Sequence, residues 1–156
     1  MMKINIANES GKLSAVVVGI ADYFGGIPKI EECYDPKSKA HIIAGTYPIE
    51  QDCVSEINTL VAVFEKYGVE VFRPKNINGL NQIFPRDIAF VISDKFVLPN
   101  IIKNRKEEAS AIDDLISQIP SEFILKMPSK ARIEGGDVMP WNECIFVGYS
   151  EKEDFE

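Results

Sequence analysis

The sequence predicts an α/β fold in which a unit of strand or hairpin, helix and strand repeats along one domain. Its 156 residues fit a single domain. A β-branched run, a helical period and a second strand-like run follow one another in the first half of the chain, and the same order begins again near residue 85. The predicted repeats cover approximately residues 10–75, 85–127 and 133–150, and the third is incomplete.

The first unit begins and ends with a strand. Residues 13–19 are rich in valine and predict a buried strand. Residues 21–48 contain glycines and prolines without a sustained period, which is typical of a long loop. Apolar residues three and four apart predict a helix over residues 49–67, which Gly68 ends, and residues 69–72 alternate as the returning strand.

The second unit starts with a hairpin, in which residues 88–92 and 96–98 are the strands. A helix follows, with Glu107 and Glu108 near its N-terminus, where acidic side chains are favoured, and with Pro120 at its end. The apolar stripe of this helix consists of Ile112, Leu115, Ile116 and Ile119. Residues 123–125 are the returning strand.

The third unit contains only a hairpin, with strands at residues 137–139 and 144–147 and a turn through residues 140–143. The acidic tail at residues 151–156 is either a solvated cap or the opening turn of a helix that is cut off. We expect the second, because nothing else in the chain completes this unit. The chain is therefore expected to be part of a longer protein.

Composition and charge exclude several classes of function. The net charge of −7 disfavours binding to nucleic acid, because an acidic surface repels the phosphate backbone. No segment approaches the ~20 apolar residues of a membrane span, and the N-terminus does not have the pattern of a signal peptide. The three cysteines are scattered, which favours reduced thiols. We expect a soluble cytoplasmic protein without membrane or nucleic-acid partners.

The single histidine, His41, excludes a zinc site of several histidines, and we expect neither a metal nor a cofactor. Cys33 lies beside Glu31 and Glu32, whose charges raise a thiol pKa and make it a poor nucleophile. Cys53 is expected on a helix face and Cys144 inside an apolar strand. We interpret all three cysteines as inert.

Two acidic motifs precede strands in successive units. Residues 84–90 contain Arg86 and Asp87, interpreted as an ionic pair, and residues 131–139 contain Glu134 and Asp137 around two glycines. Each motif alone is more often a surface pair or a solvated turn. Together, they predict carboxylates that converge on a shared axis and suit a planar guanidinium. We expect the two glycines to adopt positive φ and to let the backbone approach a ligand closely.

On these motifs, the chain resembles the N-terminal half of the guanidine-modifying enzymes, which include amidinotransferases, arginine deiminases and dimethylarginine dimethylaminohydrolases. Residues 9–19 are similar to the opening strand of that superfamily, Pro85-Arg86-Asp87 to its Arg-Asp motif, and residues 133–137 to the hydrolase form of its second motif. The resemblance covers about residues 9–150. It implies that Asp87 binds the substrate guanidinium and that Glu134 binds it and assists proton transfer. We assign Glu134 as catalytic, and Asp87, Glu134 and Asp137 as substrate-binding residues.

The resemblance also implies a pentein-type α/β propeller of five strand-strand-helix-strand modules, with the substrate in the axial channel. This chain would supply two modules and the hairpin of a third. In the superfamily, a cysteine forms a covalent intermediate with the amidino carbon, and a histidine transfers protons. The histidine of the superfamily belongs to a His-x-Asp motif. His41 has no aspartate two residues later and matches no motif of the superfamily. We therefore expect the catalytic histidine and cysteine to lie outside this chain, which by itself is inactive.

Several alternatives stay open. The family's transferases commonly carry alanines at the glycine pair, so Gly135 and Gly136 favour hydrolysis, with transfer as the alternative. The chain is either the N-terminal part of an enzyme or a non-catalytic half-propeller that binds a guanidine or a protein. The propeller fold also occurs in a ribosome-associated initiation factor, so the fold alone does not decide between an enzyme and a binding protein.

Open sheet edges could mediate self-association. The long loop at residues 21–48, with glycines and aromatic residues at 23–28, is either a flap over the substrate or an ordinary surface loop. Arginine, methylated arginine, agmatine, citrulline and peptidyl guanidine remain possible ligands.

Overall fold

The computed structural model describes residues 4–149 and has mixed α/β architecture. Its elements follow the predicted order of strand, helix and strand. They are β1 (Ala15–Val17), α1 (Pro36–Ala44), α2 (Glu50–Lys66), β2 (Glu70–Phe72), α3 (Pro85–Ile88), β3 (Phe90–Ile92), β4 (Lys95–Leu98), a 3₁₀ helix (Lys103–Ile112) that continues into α4 (Asp113–Ile116), β5 (Ile124–Lys126), β6 (Val138–Trp141) and β7 (Cys144–Val147).

Three small sheets follow one another along the chain. β1 pairs with β2 in parallel, and in the second sheet β4 pairs antiparallel with β3 and parallel with β5. β6 and β7 form an antiparallel hairpin. Parallel neighbours need a crossover connection. Helices α1 and α2 supply it in the first sheet, and the 3₁₀ helix with α4 supplies it in the second.

The prediction of an uninterrupted loop over residues 21–48 is wrong, because α1 lies within it. The Asp35 side chain caps this helix by accepting a hydrogen bond from the Ser38 N–H at 2.6 Å, and Pro36 fits the first turn. Gly45, with φ of 66°, ends it. The two large apolar residues of α1, Ile42 and Ile43, are adjacent near its end, so the sequence gives no period by which to detect this helix.

The other elements of the first unit differ from prediction mainly in extent and burial. β1 is shorter than predicted and is half-buried to exposed rather than buried. The helix predicted at residues 49–67 is confirmed as α2, and Gly68 ends it with φ of 71° while its N–H bonds to the Glu65 carbonyl at 2.9 Å. Among residues 4–149, no helix is both long and apolar enough to cross a membrane.

The largest core cluster lies between the second sheet and its crossover. Glu107 and Glu108 stand in the middle of the 3₁₀ helix rather than at a helix N-terminus, which corrects their predicted position. The predicted apolar stripe is confirmed, since three of its members are buried and Ile116 packs against them. The buried members of this cluster are Ile88, Ala89, Phe96, Ile112, Leu115 and Ile119.

The third hairpin leaves apolar side chains exposed on both strands. Its turn is shorter than predicted, because β6 extends to Trp141. Cys144 lies in β7 as predicted but is exposed rather than enclosed. The exposed apolar residues of this hairpin are Met139, Trp141, Ile145, Phe146 and Val147. The tail predicted at residues 151–156 lies outside the described residues.

The N-terminal segment connects the second and third units. Ile6 forms an antiparallel bridge with Ser93, in the turn between β3 and β4. Two residues later, Asn8 bridges Trp141 in the third hairpin. One extended segment therefore holds two neighbouring hairpins in a fixed relation, and the two acidic motifs stand at the entrances of these hairpins.

We predict that Leu115→Ala lowers the free energy of unfolding by about 2–5 kcal/mol, because it opens a cavity in the largest core cluster. Leu60→Ala is the matched control, since Leu60 lies on α2 and is exposed. The control should cost less than about 1 kcal/mol. Urea denaturation followed by circular dichroism measures both values, and equal losses in the two variants would contradict this core.

Candidate functional site

The first acidic motif forms the short helix α3, directly before β3. Pro85 suits its first turn, and Ile88 anchors it in the core. Arg86 and Asp87 do not pair with each other, so the predicted ionic pair is wrong. Arg86 binds Glu9 at 2.7 Å, whereas Asp87 points to a different partner.

Arg86 connects the first motif to the second. Its Nε donates to the Gly135 carbonyl at 2.8 Å, and its Nη2 donates to the Val138 carbonyl at 2.5 Å. These two carbonyls flank the turn that leads into β6. The bonds hold α3 against this turn and thereby bring the side chain of Glu134 beside that of Asp87.

The glycine pair permits this close contact. A Cβ on Gly135 would stand 2.0 Å from the Arg86 carbonyl oxygen, and a Cβ on Gly136 would stand 2.6 Å from Oδ1 of Asp87. Neither glycine is among the residues of the described chain with positive φ, so the expectation of positive φ is wrong. The two glycines let the second motif approach the first.

Asp87 and Glu134 meet at a guanidinium that belongs to the protein itself. Nη1 of Arg105 lies 2.8 Å from Oδ2 of Asp87 and 3.0 Å from Oε2 of Glu134. On its other edge, Arg105 donates from Nε and Nη2 to Glu108, with the shortest contact at 2.7 Å. Three carboxylates thus surround one guanidinium, and the cluster keeps an excess of negative charge.

The four side chains differ in depth. Those of Arg105 and Glu108 are 9% and 7% exposed, whereas those of Asp87 and Glu134 are 20% and 23% exposed. Arg105 and Glu108 therefore form the floor of the cluster. Asp87 and Glu134 form its more accessible part.

Burial raises the pKa of Glu134 above the ordinary glutamate value. The Arg105 guanidinium opposes this rise, while the charges of Asp87 and Asp137 add to it. The pKa of Arg105 is itself raised, since the hydrogen bonds and charges of its carboxylate partners outweigh its desolvation. Arg105 is therefore a permanent cation, and Glu134 is the acid of the cluster whose proton is held more tightly than usual.

Asp137, the third predicted substrate-binding residue, does not join the hydrogen bonds to Arg105. Its carbonyl oxygen accepts a hydrogen bond from the Gly148 N–H at 2.9 Å, at the end of β7. Its side chain lies beside the same residue, since a Cβ added to Gly148 would stand 3.1 Å from Oδ1 of Asp137. Asp137 reaches the cluster through its charge, which acts on Glu134.

The histidine and the cysteines have other surroundings. His41 Nδ1 pairs with the Thr46 hydroxyl at 2.9 Å, and Cys33 is buried with its Sγ 3.6 Å from the Asp35 carbonyl. Burial raises the pKa of Cys53, which agrees with its interpretation as inert. Among residues 4–149, no group of three or more His, Cys, Asp or Glu side chains could hold a metal ion.

Sequence reasoning missed Arg105 and Glu108. The one available signal is their spacing of three residues, which lets opposite charges pair on a helix. Burial raises the pKa of Tyr34, and the charges of Arg105 and Glu108 also act on it. Tyr34 lies within residues 21–48, the segment in which a flap is predicted. The flap at residues 21–48 stays a prediction.

Comparisons with known proteins identify a family for this chain. The profile of a family described as N,N dimethylarginine dimethylhydrolase, eukaryotic, matches residues 39–156. The uncharacterized protein YkgA of Bacillus subtilis (strain 168) is 32% identical over 97 residues, which make up 61% of this chain and 33% of that protein.

Solved structures with the same fold include two amidinotransferases. One, from Microseira wollei in the saxitoxin biosynthetic pathway, has a TM-score of 0.72 at 19% identity and is matched over 94% of this chain and 55% of its own. The inosamine-phosphate amidinotransferase of Streptomyces griseus has a TM-score of 0.63 at 18% identity, over 88% and 53% of the two chains.

A third structure is the dimethylarginine dimethylaminohydrolase of Pseudomonas aeruginosa in complex with citrulline, with a TM-score of 0.66 at 12% identity. The match covers 90% of this chain and 51% of that one. This chain thus spans about half the length of the solved structures that it matches and a third of the Bacillus relative. At these identities, the structural likeness concerns the fold.

We predict that Gly135→Ala destabilises the protein by about 1–3 kcal/mol, since its methyl group would overlap the Arg86 carbonyl oxygen. Gly11→Ala is the control, because its Cβ would meet only the side chain of Asn8, at 3.2 Å. Urea denaturation measures both variants. A Gly135→Ala variant as stable as the control would contradict the close contact of the two motifs.

The raised pKa of Glu134 predicts a pH dependence of stability. The folded state holds this proton more tightly than the unfolded state, so its stabilisation is fully present below about pH 4.5, the ordinary value, and is lost as pH rises through the pKa of the folded group. Glu134→Gln cannot titrate. We therefore expect the difference in unfolding free energy, wild type minus variant, to decrease as the pH is raised from about 4 to about 7. Urea denaturation at each pH measures this difference. A difference that rises over this range would contradict the assignment.

Proposed function

Because the chain belongs to the N,N dimethylarginine dimethylhydrolase family of guanidine-modifying enzymes, we propose that it binds the guanidinium of arginine or an arginine derivative through Asp87 and Glu134. The observation that supports this most directly is the pairing of both carboxylates with one guanidinium, that of Arg105, at 2.8 and 3.0 Å. Carboxylates match the donor fork of a guanidinium in geometry as well as in charge. Asp137 contributes to binding through its charge.

We further propose that the chain is the N-terminal part of a hydrolase whose cysteine and histidine lie outside it. The cysteine thiolate attacks the amidino carbon, and the amine leaves with a proton from the histidine. The same histidine then takes a proton from water, whose oxygen attacks this carbon and releases the thiolate. Glu134 assists proton transfer, a role that suits a carboxyl with a raised pKa. This proposal is consistent with the match to about half of each solved structure.

The same proposal includes a partial pentein propeller of two modules and the hairpin of a third, within a single domain that spans residues 1–156. The three successive sheets support it, because each sheet is formed by strands that are consecutive in the sequence. A second observation is the exposed apolar surface of the β6–β7 hairpin, which further modules would cover. The three free cysteines favour a reducing, cytoplasmic location.

Two alternatives have specific support. Amidinotransferases are among the structural neighbours, so transfer to an amine acceptor is the alternative to hydrolysis. The contact of Gly135 with the Arg86 carbonyl leaves no room for the alanine common in the transferases, which favours hydrolysis. The exposed β6–β7 hairpin also suits the second alternative, a non-catalytic half-propeller, because another chain or a second copy could cover it.

We predict that the folded chain binds arginine or a methylated arginine in calorimetry and that Asp87→Asn and Glu134→Gln each weaken binding at least about tenfold. Each variant loses one charged acceptor with little change in shape. Asp114→Asn, an exposed aspartate on α4, is the matched control and should bind as the wild type does. Agmatine and citrulline in parallel titrations define the ligand class. A folded wild type that binds none of the four compounds, or site variants that bind equally well, would refute the assignment.

A further inference from the structure

The hydrogen bonds of Arg105 use only one oxygen each of the half-buried acids Asp87 and Glu134. Its Nη1 binds Oδ2 of Asp87 and Oε2 of Glu134. Within the described part of the chain, the second oxygen of each carboxylate has no hydrogen-bond partner, and Oδ1 of Asp87 lies against Gly136, which has no side chain. Each acid therefore keeps one oxygen for a further donor.

The orientation of the guanidinium is set from the opposite side. Glu108 accepts hydrogen bonds from Nε and Nη2 of Arg105 through both of its oxygens, which is the bidentate geometry of a strong pair. Glu108 belongs to the same 3₁₀ helix and is buried. Its contacts occupy one edge of the fork, so that Nη1 is the atom directed at the two motif acids.

The depth of these residues decides which side a ligand meets. Arg105 and Glu108 are buried, whereas Asp87 and Glu134 keep 20% and 23% of their side-chain surface exposed, so a ligand arriving from solvent reaches the two acids first. One guanidinium does not balance three carboxylates, and the remaining negative charge favours a second cation at the accessible face.

We propose that Arg105, held by Glu108, is a positioning residue that binds one oxygen of Asp87 and one of Glu134 from below and directs their second oxygens toward the guanidinium of the ligand. The inference rests on the proposed function, which supplies the ligand. In the opposite arrangement, Arg105 occupies the place of the ligand guanidinium and has to leave before binding. The two arrangements predict opposite effects when Arg105 is removed.

The test compares the wild-type chain with Arg105→Gln, Arg105→Lys and the control Lys106→Gln, which removes an exposed positive charge from the neighbouring position. Circular dichroism checks folding, and calorimetry measures arginine binding. A ¹³C NMR titration follows the carboxyl group of Glu134 without ligand. This carboxyl faces Arg105, Asp87 and Asp137, so its pKa reports directly on the contact with Arg105.

We expect Arg105→Gln to bind arginine at least about tenfold more weakly than the wild type, because the two acids lose their common support. The pKa of Glu134 should rise further in this variant, since the guanidinium that lowers it is gone. In Arg105→Lys, the pKa of Glu134 should stay close to its wild-type value, because a positive charge is kept. Arginine binding should be only partly restored, because an ammonium lacks the planar fork of a guanidinium. Lys106→Gln should change neither.

Tighter arginine binding by Arg105→Gln would overturn the proposal, since Arg105 would then compete with the ligand. An unchanged pKa of Glu134 would overturn it as well. If Arg105→Gln does not fold, the arginine affinity of Arg105→Lys decides, with weaker binding supporting the proposal and tighter binding contradicting it. If neither variant folds, Arg105 is needed for the fold and the proposal is overturned. Because the NMR titration needs no ligand, a wild type that binds no guanidine would refute the proposed function while the shift in pKa still tested the positioning contact.

Discussion

The ion pairs of Arg105 are the interaction on which the arrangement of the site depends. Asp87 comes from α3 in the second unit and Glu134 from the turn before β6 in the third, and a single guanidinium joins them. Without this cation, three buried or half-buried carboxylates would face one another and repel. Glu108 pairs with the opposite edge of Arg105, so the cluster is built from three separate parts of the sequence around one side chain.

A second arginine gives the site its frame. Arg86 bonds to backbone carbonyls on both sides of the second motif, and the absence of a side chain at Gly135 lets the two backbones touch. The N-terminal segment adds a third connection through Ile6 and Asn8. Adjacent residues of one motif therefore have separate tasks, since Arg86 connects the units while Asp87 faces the cluster.

Local pattern was sufficient for most of the fold but not for the cluster. The helical period of α2 and the alternating strands depend on neighbours in sequence, and they were predicted nearly in place. Helix α1 was missed, because its caps at Asp35 and Gly45 are not accompanied by a repeating apolar period. The motif acids were recognised by their resemblance to a family. Arg105 lies 18 residues after Asp87 in a segment that is mostly charged, and only folding reveals that it is buried.

The central claim is that the ligand guanidinium binds Asp87 and Glu134 while Arg105 keeps its place beneath them. The most direct measurement is an NMR titration of the folded chain with arginine that follows the carboxyl carbons of both acids and the Nε–H signal of Arg105. The account predicts that the carboxyl signals shift on saturation, whereas the Arg105 signal keeps its position and its protection from solvent exchange. Loss of that protection as arginine binds, or carboxyl signals that stay unchanged, would contradict the account.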